Sequence, residues 1–192
     1  MKKIGSDSAH VALALVHYPV KDRVGEVRVT SVTPLNIHDL ARSATTYGLE
    51  SLYVVTPILS QQALAERILR HWRKGHGGTQ NPSRRQSLEI VSIVDSVNDA
   101  AADLLNRHGE YPRLVGTAAR RRDGARGYSE IAAEMLAPGR PWLILFGTGW
   151  GLTGEILAQC DSFLEPLEGR GEFNHLSVRS AAAIILDRLF GT

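Results

Sequence analysis

The chain has 192 residues, 43% of them hydrophobic, which is the length of one ordinary domain with enough apolar material for a core. Its 22 Lys+Arg against 20 Asp+Glu leave a formal charge of +2, which excludes an acidic disordered chain and a basic tail-like protein. The single Cys160 excludes a disulfide framework and a Cys-rich zinc site, and no apolar run approaches the roughly 18 residues of a transmembrane helix. A cytoplasmic protein with no membrane association and no metal is expected. Lysine occurs only at Lys2, Lys3, Lys21 and Lys74, so 18 of the 22 basic residues are arginine. Arginine favours bidentate recognition of phosphate and carboxylate, although GC-rich codon usage produces the same bias.

Residues 1–7 read as an N-terminal tail ahead of one domain over 8–192. The apolar stretch Val11–Val16 is too short for a signal-peptide core and reads instead as the first strand. Further strands are predicted at Val27–Val32, Leu52–Val55, Ile90–Val94, Leu114–Thr117, Leu143–Phe146 and Ser162–Leu164. Several are continuously apolar, as strands covered on both faces are. Between them the periodicity turns helical. In the first helix Asn36 is the expected cap and Asp39 returns the bond. Ile37, Leu40, Ala41 and Ala44 form its apolar stripe, and Gly48 ends it. His38 and Arg42, four residues apart, project together beside that stripe. Later helices are predicted over about Ser60–Trp72, Val97–Leu105, Ser129–Met135 and Ser177–Phe190. This βαβα rhythm argues for an α/β fold, a parallel sheet sandwiched by helices.

Two segments read as exposed loops with cations suited to a polyanion: Arg73–Arg85, with Arg73, Lys74, Arg84 and Arg85, and Arg120–Arg126, opening on Arg120, Arg121 and Arg122. After the buried strand Leu143–Phe146 comes Gly147-Thr148-Gly149-Trp150-Gly151-Leu152, whose glycines let a backbone approach a ligand. Alone it resembles half a dinucleotide fingerprint, but its spacing is G-x-G-x-G and little chain follows it. No P-loop occurs. His71 and His76 lack a third partner at metal-ligand spacing. Cys160 reads as a structural thiol, and no nucleophile elbow surrounds His175 and Ser177.

Three segments acquire meaning together. Pro34-Leu35-Asn36-Ile37-His38-Asp39-Leu40-Ala41-Arg42 resembles the first motif of the SpoU-like RNA methyltransferases, an Asn followed six residues later by an Arg. Leu143 to Leu152 resembles their second motif. Leu164-Glu165-Pro166-Leu167-Glu168-Gly169, with His175-Leu176-Ser177-Val178-Arg179, resembles the third. Order and spacing fit over about Val11 to Phe190, and the chain is similar to a bacterial subgroup of SAM-dependent RNA methyltransferases within the SPOUT superfamily.

The resemblance implies a deep C-terminal trefoil knot, S-adenosylmethionine as cofactor, and a homodimer whose active site borrows from both subunits. It implies cofactor contacts from Thr117, Ala118, Phe146, Gly147, Thr148, Gly149, Gly151, Leu152, Leu164, Pro166, Leu167, Leu176 and Ser177. Catalysis would fall to Arg42, Asn36 and His175, with Arg42 acting as a fixed cation rather than a base, because guanidinium is scarcely ever deprotonated. The implied substrate is tRNA or rRNA, with ribose 2′-O methylation favoured over base methylation. Such enzymes usually carry Glu where Thr148 stands and Asn where His175 stands. Those departures keep a second reading open, a non-catalytic RNA- or ribosome-associated module that binds the cofactor without turnover.

Overall fold

A computed structural model describes residues 9–171 and 173–191, so the expected tail at 1–7 lies outside the described residues. Its centre is a seven-stranded sheet in which every pairing is parallel. The strands are β1 (Val11–Val16), β4 (Ser51–Val55), β5 (Val91–Val94), β6 (Arg113–Gly116), β7 (Ala125–Arg126), β8 (Trp142–Gly147) and β9 (Ser162–Leu164). A separate hairpin joins β2 (Val20–Lys21) to β3 (Val27–Arg28). The helices are α1 (Pro34–Thr46), α2 (Leu59–Arg73), α3 (His76–Gln80), α4 (Pro82–Leu88), α5 (Val97–His108), α6 (Tyr128–Met135), α7 (Gly154–Ala158) and α8 (Val178–Phe190).

The strand order is β5-β4-β1-β8-β6-β9-β7. From β1 the chain builds outward through β4 and β5, then crosses to the other side. The order therefore reverses next to β1, which opens a crevice beyond the carboxyl ends of the central strands. Side chains alternate between faces along each strand, yet all six residues of β1 are buried. Leu13, Leu15, Ile144 and Phe146 pack in a core with residues of α1, α2, α6 and α8. Ala12, Ala14, Leu143 and Leu145 pack on the other face with Ala100, Ala101 and Leu104 of α5 and Ile156 and Leu157 of α7. Covering both faces is why these strands read as unbroken apolar runs.

Four local expectations are corrected. The strand predicted at Val27–Val32 shrinks to Val27–Arg28, because Val27 and Val29 are exposed and only Val32 joins the core. Asn36 does not cap α1. Thr33 does, its hydroxyl accepting from the Asn36 N–H at 3.3 Å, with Pro34 opening the helix. Asp39 does not return a bond to a cap; its carboxylate takes Arg179 Nη1 at 2.7 Å. The segment Arg73–Arg85 is helical rather than a loop, because Asn81 caps α4 by accepting from Arg84 N–H and Leu88 anchors it in the core. No helix among the described residues is long and apolar enough to cross a membrane.

Candidate active site

The glycine turn leaves β8 where β1 and β6 also end. Thr148 N–H donates to Val16 O at 3.1 Å, and Gly151 N–H closes the turn on Thr148 O at 3.0 Å. Gly149 (φ 59°) and Gly151 (φ 100°) occupy the left-handed region that side chains disfavour. Gly147 is required for space: a Cβ there would stand 2.6 Å from Leu152 N and 2.8 Å from Gly151 C. From across the crevice the β2–β3 hairpin docks onto the turn. Lys21 N–H donates to Gly151 O at 2.9 Å and Trp150 N–H to Lys21 O at 3.0 Å.

Beneath the turn lies a buried polar chain. Thr148 Oγ1 donates to Val16 O at 2.9 Å and also meets Thr30 Oγ1, which lies 3.0 Å from His17 Nδ1. With the Thr148 proton on Val16 O, the chain is satisfied when Thr30 donates to Thr148 and a neutral His17 donates from Nδ1 to Thr30. Burial pushes the His17 imidazole down to about 4, opposed in part by its hydrogen bond with Thr30. His17 Nε2, buried and without a partner, is then a bare acceptor rather than a stranded N–H. Nothing in the spacing of residues 17, 30 and 148 links them in the sequence, and His17 and Thr30 were missed for that reason.

Above the strand ends lies a cavity of about 1060 Å³, at the upper end of small-molecule sites. Thr117, Ala118, Phe146, Gly147, Thr148, Gly149, Gly151, Leu152, Leu167, Leu176 and Ser177 line it, as do Asn36 and His175. Leu164 and Pro166 are buried and are not among the lining residues. The segment carrying His175 is fastened across the loop after β6 by Asn174 Nδ2, which donates to Ala119 O at 3.2 Å. Ser177 then caps α8, accepting from Ser180 N–H at 3.2 Å. Phe146, Leu152, Leu157, Leu167 and Ile185 offer apolar contact and the glycines leave room beside exposed backbone. This lining fits a flat, polar-edged ring with an attached chain, which is the shape of S-adenosylmethionine.

Arg42 is exposed on α1 and is not among the residues lining this cavity. It belongs with a second group of cations. Burial lowers the His38 pKa, and Arg84, Arg42 and His71 add to that shift against Asp39. The Arg84 guanidinium lies 4.7 Å from the Trp72 ring centroid, and Arg85 pairs with Glu89 at 3.5 Å. Lys74, just past α2, is exposed nearby in sequence. Arg73 has structural employment, its guanidinium donating to the carbonyls of Leu88 and Val91. Arg120 and Arg122 line the cavity, whereas Arg121 pairs with Glu165 at 2.8 Å. At the opposite, amino ends of the strands, His10 and His108 share Glu50 at 2.9 Å each, with Arg107 on the same carboxylate.

A parallel α/β sheet with a glycine-lined cavity where its strand order reverses is the architecture in which nucleotide-type cofactors are bound. Comparison with known proteins narrows the class. A family model described as SAM-dependent RNA methyltransferase matches residues 10–191, and the chain belongs to that family, whose cofactor is S-adenosylmethionine. It is 46% identical over 178 residues to a tRNA (guanine-N(1)-)-methyltransferase of Nitratidesulfovibrio vulgaris, covering 93% of this chain but 41% of that relative. It is 40% identical over 181 residues to an uncharacterized Aquifex aeolicus protein, covering 94% of this chain and 88% of that one. Among solved structures, a methylase-family protein from Neisseria gonorrhoeae superposes with TM-score 0.67 at 16% identity, covering 99% and 85% of the two chains. The SpoU methyltransferase AviRb of Streptomyces viridochromogenes, in complex with AdoMet, superposes with TM-score 0.55 at 18% identity, covering 98% and 59%. These likenesses show a shared fold.

Proposed function

We propose that the chain methylates a nucleotide of tRNA or rRNA, acting as a cytoplasmic homodimer whose C-terminal part is knotted. The observation that carries the reading is the cavity above the strand ends. It unites the glycine turn, the loop after β6 and the start of α8, three segments far apart in sequence. When bound, S-adenosylmethionine supplies a methyl group already activated on a sulfonium. The chain's residues then divide the remaining work. Leu152, Leu167 and Ile185 would supply the apolar contact for the cofactor's adenine, and Gly147, Gly149 and Gly151 would leave the turn's backbone open to its polar part. Leu164 and Pro166, buried and outside the lining, would act only as packing behind the wall.

Asn36 and His175 face the acceptor, with His175 taking its proton as transfer proceeds. Arg42 stabilises the charge that develops on the acceptor. Arg42 lies outside its own cavity, so in the proposed dimer it would serve the cavity of the second copy. Asn174, donating to Ala119 O, and Tyr128 Oη, donating to Glu165 O at 2.7 Å, tie the C-terminal part to the loop after β6 and to α6, which supports the knot. Phosphates fall to Arg120 and Arg122 at the cavity, with Arg121 beside them paired to Glu165, and to Lys74, Arg84 and Arg85 on the second basic surface.

The acceptor we favour is a base atom rather than the ribose 2′-oxygen expected from the sequence. Two relatives are named for guanine N1, although more than half of their length lies outside the matched part. The cavity wall carries Thr148 where the ribose-methylating pattern has a carboxylate. Calorimetry with S-adenosylhomocysteine and labelled-methyl transfer into RNA, followed by nucleoside analysis, test the reading. We expect binding, incorporation at a base, and loss of incorporation at least a hundredfold in Arg42→Ala with S-adenosylhomocysteine affinity unchanged. Binding without incorporation would favour a passive RNA-associated module. No binding would sink both.

A further inference from the structure

Trp150 is 58% exposed at the cavity's mouth, in a protein whose other tryptophans are buried or half-buried. Its exposure is built in. The two left-handed glycines on either side turn the chain sharply, and backbone bonds to the hairpin and within the turn pin it. Any polar residue could occupy this backbone without loss, and a large exposed indole raises solvation cost. The ring is also oriented. His175 meets it edge-on at 6.1 Å and meets Phe173, 81% exposed, at 5.5 Å. Around the same mouth stand Lys21, Arg23, Arg120 and Arg122. Asp22, the acid among them, is committed to the N–H groups of Val24 and Glu26 and to Arg28. The rim thus combines a fixed aromatic surface with an excess of positive charge.

We infer that Trp150, backed by His175 and Phe173, is a stacking platform for an unpaired nucleobase of the substrate RNA, whose flanking phosphates the four cations hold. The inference rests on the proposed RNA-methylating function and adds how the nucleotide is presented. An atom on a base cannot reach a cavity while stacked in a helix, so it must be turned out. An aromatic plane beside the cavity compensates the lost stacking without reading sequence. A duplex offers no free base face, so single strands, loops and bulges are the chemistry this rim selects.

The test uses the full-length protein, a short single-stranded RNA and its duplex at the same salt. Tryptophan fluorescence should be quenched by the single strand and much less by the duplex, and Trp150→Phe should remove most of that quenching. Trp150→Ala should weaken single-strand binding roughly tenfold to a hundredfold, and Trp150→Phe should restore most of it. S-adenosylhomocysteine affinity should stay within twofold in both variants. Equal RNA affinity in wild type and Trp150→Ala would overturn the platform even if methylation occurs. A shift of Trp150→Ala from dimer to monomer in sedimentation would also overturn it, by assigning the surface to a second copy. Failure of the wild type to bind S-adenosylhomocysteine strikes the functional reading instead, and calorimetry separates that result from the others.

Discussion

Replacing Gly147 by alanine tests whether the glycine turn is shaped by space or by conformational preference. The added Cβ would stand 2.6 Å from Leu152 N, close to 1 Å short of the roughly 3.5 Å at which non-bonded atoms settle. Its neighbours there are backbone atoms, so no side chain can rotate away. Gly151 and Leu152 must retreat, and their movement strains the bonds from Lys21 N–H to Gly151 O and from Trp150 N–H to Lys21 O. Two such bonds contribute about 2 kcal/mol, and overpacking alone costs about 1–3 kcal/mol. A loss of about 3 kcal/mol corresponds to a melting temperature lower by about 6–12 °C in a chain of this size. Because the retreating atoms line the cavity, S-adenosylhomocysteine should bind at least about tenfold more weakly. Gly154→Ala is the control: nothing lies within 4 Å of a Cβ there, in the first turn of α7, so stability and affinity should hold or rise slightly. Calorimetry and thermal unfolding read both variants. A Gly147→Ala protein with wild-type melting and affinity would refute the packing argument.

Because burial holds His17 neutral in the fold, the unfolded chain takes up the extra proton as pH falls from 6.5 toward about 4. Stability should therefore be full above that window and decline through it by up to about 3 kcal/mol, and His17→Asn, which keeps a donor but cannot titrate, should flatten the decline seen in urea midpoints. Arg85→Ala should reduce the dependence of RNA affinity on salt by about one unit of log–log slope while leaving folding intact. Arg73→Ala should behave oppositely, lowering the unfolding free energy by about 2 kcal/mol with an unchanged salt slope, since its guanidinium holds the carbonyls of Leu88 and Val91. Burial pushes the Cys160 thiol up to about 11, helped by Asp161 and opposed by Arg122, so alkylation of the folded chain should run about a hundredfold slower than of the urea-unfolded chain. Equal rates would show an accessible, ordinary thiol.

The parallel sheet was legible because its strands are sheathed on both faces, and only an unbroken apolar run satisfies two cores at once. Helix ends were less legible. Asn36 and Thr33 are both good caps, and the choice between them depended on Pro34, whose fixed φ suits the first helical position. The basic stretch 73–85 misled because Gly, Pro and Asn are turn formers in isolation. Its helices form where Arg73 and Leu88 fasten them to the body of the protein.

The amino-acid order by itself determined the sheet-and-helix alternation, the glycine turn and the family motifs, because periodicity and residue type are local properties. Tertiary structure alone decided that residues 117–118, 147–152 and 174–178 wall one cavity and that Arg42 stands apart from it. It also decided that His17, Thr30 and Thr148 form one chain of hydrogen bonds, and that Trp150 faces water. Those relations depend on which strand neighbours which and on how far the chain travels before it returns. No spacing along the sequence encodes such distances.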